Sequence, residues 1–259
     1  MTVIREARKI VEETLDINTI NAQQIVIGVG YTGVKLTNND AGVCHSLIAE
    51  SNPECCEVLK EAGNITNKSL SELLDLTYSW DLFERIIGVA TLNALSQTVL
   101  RGMDIPLLRK NLIDVLKVEP SDTITMIGGI KPFIEPLTRS SKRLIILERG
   151  VKGEGIYPDT ACEELVPLSD VVLITGSTLA NGTIDRLLEL SRNARKIAVV
   201  GPTASIVPAP LFDRDVDYCG GIQIHNPDRL MKVLQEAGGT PQMKQAGTLV
   251  TYMNPRKAS

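Results

Sequence analysis

The sequence predicts an α/β protein built in two parts: a small α+β leader over residues 1–104, then a doubly wound, largely parallel α/β unit over residues 105–259. Three observations carry this. "TITMI" (123–127), "RLIIL" (143–147), "VVLIT" (171–175) and "KIAVV" (196–200) are short, unalternating, β-branched runs, as a parallel sheet covered on both faces requires. Ahead of them, "QQIVIGVGYTGVKLT" carries two strand-like runs broken by glycines, the pattern of an antiparallel hairpin. Between the two regions lies a long apolar helical stretch, "DLFERIIGVATLNALSQTVL".

The elements follow in chain order. "MTVIREARKIVEETLDI" places Val3, Ala7, Ile10, Val11 and Leu15 near helical spacing between charges, an amphipathic helix and not a signal sequence. The two hairpin strands come next, then a polar break at "NNDAG" and a third strand at "VCHSLIA". Two helices follow: "SLSELLDL", with Ser69 or Ser71 as its cap, and the long stretch opened by Asp81. Phe83, Ile86, Ile87, Ala90, Leu92, Ala94 and Leu95 give the long helix a broad apolar face for the leader sheet. "RGMDIPLLRK" joins the two parts. In the second part, "CGGIQI" and "TLVTYM" add outer strands, with "PDRLMKVLQEAG" as the helix between them.

Composition narrows the function classes. Lys plus Arg number 27 against 31 Asp plus Glu, a net charge of -4. That balance provides no basic field for a phosphate backbone, which argues against nucleic acid as partner. No apolar run approaches the roughly 18 residues of a membrane span, so a cytoplasmic protein with no membrane partner is expected. The five cysteines (Cys44, Cys55, Cys56, Cys162, Cys219) are scattered without a CxxC pair, the usage of reduced thiols. Adjacent Cys55 and Cys56 lack further nearby ligands for a soft metal. A homodimer is compatible with the sequence.

Motifs then locate a site. "GVGYTG" (Gly28, Gly30, Gly33) is a literal GxGxxG, but "VKLTNND" follows it instead of a helix. A hairpin therefore explains the glycines better than a dinucleotide site. "MIGGIKP" puts Gly128 and Gly129 directly after the first strand of the second part, and Glu148 stands at the end of the next strand. An acidic residue there can accept hydrogen bonds from ribose hydroxyls, so nucleotide binding and a plain turn both stay open. "GSTLANGT" supplies Ser177, Thr178, Asn181, Gly182 and Thr183 between a strand and a helix, and "GPTAS" supplies Gly201 to Ser205 after the next strand. Loops at the carboxyl ends of parallel strands are where ligands collect. The competing reading is that Asn181 or Thr183 merely caps a helix. The long connection "ERGVKGEGIYPDTACEELVPLSD" lacks clear periodicity and reads either as a lid or site wall, with Tyr157, Asp159 and Glu163 as candidates, or as a disordered surface loop. The two histidines, His45 and His225, fit no HExxH pattern, and there is no GxSxG elbow. Hydrolytic chemistry is unsupported.

These residues together resemble a family named for putative heavy-metal chelation. "GVGYTGVKLTNNDAGV" and "WDLFERIIGVATLNAL" carry the likeness in the leader; "SDVVLITGSTLANGTIDRLL" and "VVGPTASIVP" carry it in the second part. The resemblance implies an enolase amino-terminal-like leader, a Rossmann-like second domain and a site in the cleft between them. It would place Thr32, Asn93, Ser177, Thr178, Asn181, Thr183, Gly201, Pro202 and Thr203 near that cleft. The chain is too short to add a (β/α)₈ barrel of about 250 residues, so enolase chemistry is not implied. The function expected is binding of a small anionic or metal-chelating ligand in the cleft, with Gly128 and Ser205 among its contacts. A metal ion or metal-chelating small molecule is the cofactor class implied, with oxygen donors or the chelator completing the coordination. The alternative is a transferase-type enzyme using a nucleotide or S-adenosylmethionine, with Glu148 on the ribose.

Overall fold

The computed structural model describes residues 1–50, 59–150 and 153–257; Cys55 and Cys56 lie outside the described residues. Helix α1 (Val3–Thr14) is capped by Thr2 and buries Val3, Ile4, Ala7 and Val11, the stripe expected from its spacing. Strands β1 (Ala22–Ile27), β2 (Tyr31–Leu36) and β3 (Ala41–His45) form an antiparallel sheet in the order β1-β2-β3. "GVGYTG" is thus the turn and start of a hairpin. Helix α2 (Leu70–Asp75) carries a capping box in which Ser69, not Ser71, is the cap.

Helix α3 (Leu82–Arg101) starts at Asp81, whose side chain accepts from the Glu84 N–H at 3.0 Å. Every residue from 86 through 97 is buried, so the helix is enclosed on all sides and not merely laid on the leader sheet. Its polar residues explain how that is tolerated, because buried polar groups must find partners. Ser96 Oγ accepts from the Val207 N–H (3.2 Å), and Gln97 donates to the Ile222 carbonyl (3.2 Å) while accepting from the Ile224 N–H (3.3 Å). These bonds reach from the leader into the second part of the chain. On the other side, Gly42 of β3 lies against the α3 backbone: a Cβ there would meet Ala90, Asn93 and Ala94 main-chain atoms. Only glycine permits that approach.

The second sheet has the order β10-β9-β8-β7-β4-β5-β6. Strands β4 (Thr123–Ile127), β5 (Arg143–Leu147), β7 (Val171–Thr175) and β8 (Lys196–Val200) coincide with the four runs read from sequence. With β6 (Ile156–Tyr157) and β9 (Tyr218–Ile224) they are all parallel; β10 (Gly247–Met253) is the antiparallel edge. Helices α4 (Leu112–Leu116), α5 (Lys131–Ser140), α6 (Cys162–Leu165), α7 (Ser177–Asn181), α8 (Ile184–Leu190), α9 (Ala209–Phe212), α10 (Pro227–Gln235) and α11 (Thr240–Met243) complete the unit. The joining segment is stapled to the last strand, through Leu108 N–H to Thr251 O and Met253 N–H to Pro106 O, both 2.8 Å.

Two expectations are corrected. The described residues of the connection after β5 are not a disordered surface loop: β6 extends the sheet, with Glu148 N–H bonded to Tyr157 O at 3.0 Å, and 3-10 turns flank α6. Strand pairing supplies order that periodicity over so short a span cannot signal. The stretch after β7 is likewise not an open loop but the five-residue helix α7, ended by Gly182 in the left-handed conformation at φ 79°. The apolar side chains of α1, α3, β2, β5, β7 and β8 share one continuous core.

Candidate functional site

Strand β4 leads outward to β5 and β6, whereas β7, its other neighbour, leads the opposite way to β8 and β9. The winding direction therefore reverses between β4 and β7, and in open α/β sheets the carboxyl ends at such a reversal form the ligand crevice. Gly128 follows β4 at φ 83°, and a Cβ there would lie 2.7 Å from Thr175 Cγ2 at the end of β7. The Gly129 N–H donates to Glu148 Oε2 (2.6 Å), and the Arg149 N–H donates to Oε1 (3.1 Å). Glu148 thus fixes the first strand-to-helix turn.

The leader meets this edge through the end of β3. The His45 N–H donates to Thr203 Oγ1 at 2.9 Å. Asn93 Nδ2 donates to Val43 O (2.8 Å) and Thr203 O (2.9 Å). Glu50 accepts from Asn181 Nδ2 at 3.4 Å and is paired with the Arg149 guanidinium, which also holds Asp159 at 2.6 Å. Arg149 and Asn181 consequently bind the same leader carboxylate.

His45 is the unusual member. Its ring stands edge-on to Tyr31 at 5.3 Å between centroids, and neither ring nitrogen has a hydrogen-bond partner among the described residues; Nδ1 is also buried. Burial lowers its pKa below the ordinary value, against the opposing pull of Glu50 and Glu148. The ring is therefore neutral at pH 7, the state that can accept a hydrogen bond or ligate a metal. Asn93 Oδ1 and Arg85 Nε are likewise buried without partners.

The other residues expected at the site divide clearly. Ser177 sits beside Thr175, whose hydroxyl lies 3.4 Å from Ser177 Oγ. Asn181 Oδ1 accepts from the Thr183 N–H (3.3 Å) and hydroxyl (2.8 Å), so these two residues tie the turn between α7 and α8, with no side-chain cap from Thr183. Gly201 opens the next turn at φ 123°, and Pro202 and Thr203 are buried behind it. Three hydroxyls face inward: Thr178 donates to Thr175 O (2.7 Å), Ser205 to Pro202 O (2.8 Å), and Thr32 lies 3.2 Å from Ser46 Oγ. The Tyr157 hydroxyl accepts from Arg143 (2.6 Å) and its carbonyl from the Glu148 N–H (3.0 Å), whereas Glu163 is paired with exposed Arg186, away from the residues above. His225 is exposed and bonds Thr248 at 3.1 Å. Arg85, Glu50 and Arg149 escaped the sequence reading. Arg149 had one signal, its place beside Glu148 at the end of a buried strand; Glu50 and Arg85 had none.

The donor set does not suit a bare metal ion. Among the described residues there is no group of three His, Cys, Asp or Glu able to hold one. Burial pushes the Cys44 and Cys219 thiols up, the latter to about 12, so neither offers a thiolate. One neutral imidazole fits a metal already held by a chelator. A separate depression of about 530 Å³ beside α1, lined by Met1, Arg5, Asp185 and Arg214 among others, has its buried charge satisfied: Arg214 pairs with Glu6 and Asp185. No described helix is long and apolar enough to cross a membrane.

Residues 111–253 match the DUF364 family model and residues 9–96 the DUF4213 model, both described as putative heavy-metal chelation. An uncharacterized protein of Methanocaldococcus jannaschii is 30% identical over 192 residues, covering 71% of this chain and 72% of its own. A DUF364-family protein of unknown function from Pyrococcus horikoshii superposes with a TM-score of 0.79 at 20% identity, over 96% of this chain and 99% of its own. Another from Desulfitobacterium hafniense gives 0.78 at 23% identity, over 97% and 98%. At these identities the two solved structures share the fold.

Proposed function

The chain belongs to the DUF364 family of putative heavy-metal chelation proteins, and from that premise we propose that it binds a small metal-chelating ligand where the leader meets the carboxyl ends of β4 and β7. The observation that carries this is the neutral, unpartnered ring of His45, a residue whose N–H is bonded to Thr203 after β8 and whose ring lies within the electrostatic reach of Glu50 and Glu148. A chelator would bring most of the metal's ligands, His45 would supply one nitrogen, and the strand-end N–H groups and hydroxyls would hold the chelator. The division into an enolase amino-terminal-like leader ending near residue 104 and a Rossmann-like unit after it belongs to the same reading. It is supported by the separate antiparallel and parallel sheets.

The test is native mass spectrometry of anaerobically purified protein, repeated on His45→Phe and Asn181→Ala. The expected result is a bound mass in the parent chain that is absent from folded His45→Phe. Bare chains throughout, with no thermal shift of the parent by nickel or zinc citrate, would overturn the reading.

A further inference from the structure

Arg85 stands one turn into α3, and its guanidinium lies against Gly182: Nη1 is 3.0 Å and Cζ 3.1 Å from where a Cβ on that residue would be. Three arginines among the described residues are half-buried: Arg8, Arg85 and Arg214. Arg8 pairs with Glu12 and Asp75, and Arg214 with Glu6 and Asp185. Arg85 has no carboxylate, no carbonyl and no aromatic ring among the described residues, and its Nε is buried without an acceptor. A partly buried charge left without a counter-ion is costly, and proteins pair such groups as the other two arginines are paired.

A structural role at the end of α7 would require hydrogen bonds to that helix's last carbonyls. Arg85 makes none, and Gly182 N–H already satisfies Thr178 O. Gly182 follows directly on Asn181, which bonds Glu50, so the unpaired cation borders the same junction as His45 and the strand ends. Any side chain at position 182 would strike the guanidinium.

We propose that Arg85 is an oxyanion receptor of this site, pairing with a carboxylate or phosphate group of the ligand. This rests on the binding site proposed above and names the chemistry of its ligand. A planar guanidinium presents two parallel N–H donors, the geometry that carboxylate and phosphate oxygens accept. The ligand class implied is an anionic small molecule, such as a carboxylate-bearing metal chelate.

The test uses the full chain and three variants, Arg85→Gln, Arg85→Lys and Asn181→Ala. Each is titrated calorimetrically with citrate, nickel citrate and inorganic phosphate at up to millimolar concentration, and each is melted without ligand. The parent should bind at least one of these. Arg85→Gln should weaken that binding by about tenfold or more, with Arg85→Lys between the two, and should melt no lower than the parent because it removes an unpaired charge. Preference for citrate over phosphate identifies a carboxylate group, and the reverse a phosphate. If Arg85→Gln melts lower and binds normally while Asn181→Ala loses binding, Arg85 is structural and the site reading alone survives. If none of the probes binds the parent, the receptor proposal falls. If they bind the parent and all three variants alike, both readings fall.

Discussion

The side-chain amide of Asn93, in the middle of α3, donates to the carbonyl of Val43 on the leader sheet and to that of Thr203 beyond β8, at 2.8 and 2.9 Å. One fully buried residue thereby fixes the leader to the turn that receives the His45 N–H. Asn93→Ala leaves two buried carbonyls without these donors, and loss of about 2–4 kcal/mol follows from unsatisfied buried acceptors. Urea unfolding monitored by circular dichroism should show the midpoint falling with the slope unchanged. A midpoint like the parent's would remove Asn93 from this role.

Glycine substitutions should separate close approach from backbone conformation. Gly42→Ala drives a methyl group into the α3 backbone at Ala90, Asn93 and Ala94, where neither partner can yield; about 3 kcal/mol or more of stability should be lost. Gly63→Ala has open space around it at φ 90°, so its cost is confined to the left-handed backbone penalty of about 1–2 kcal/mol. Thermal melts of the two variants rank them, and equal losses would refute the packing account of Gly42.

Two ionisable groups contribute to acid sensitivity in the same direction but in different pH windows, by a common sign rule. The Arg214 hydrogen bonds hold Glu6 below the ordinary carboxylate value, so its contribution is present above that value and lost as pH falls through the lowered one. The melting deficit of Glu6→Gln relative to the parent should therefore shrink on acidification. His45 is held below the ordinary imidazole value by burial. The folded state then binds less proton than the unfolded state, and stability falls as pH drops from the ordinary value towards the lowered one. His45→Phe should lose this segment of the pH profile. A nuclear magnetic resonance titration of His45, assigned with the aid of His225→Gln, checks the direction independently.

Thiol accessibility offers a fourth check. Burial raises the thiol pKa of all three described cysteines, but Cys44 and Cys219 are fully enclosed whereas Cys162 is partly exposed. Since the thiolate is the reactive form, peptide mapping after alkylation of the native protein should find Cys162 modified and Cys44 and Cys219 protected until denaturant is added. Rapid modification of Cys44 would mean that the β3–α3 packing opens readily.

The amino-acid sequence by itself determined which segments became the long strands and the principal helices of this protein, though not the two-residue β6. Runs such as "VVLIT" and "KIAVV" have no polar face, so they can be satisfied only inside a covered sheet, and "GVGYTG" without a following helix can only turn a hairpin. The glycine and hydroxyl residues at 128, 177 and 201 were legible as strand-end turns for the same local reason. What the tertiary structure alone decided was strand order, and with it the reversal between β4 and β7 that brings Gly128 to Thr175. It also decided which hydroxyls turn inward, as Thr178 and Ser205 do, and which polar groups are left over. His45, Arg85 and Asn93 look ordinary in their local sequence; their unpaired atoms arise from enclosure by segments distant in the chain. Hydrogen-bond partners across such separations depend on the packing of the whole molecule, which no local pattern encodes.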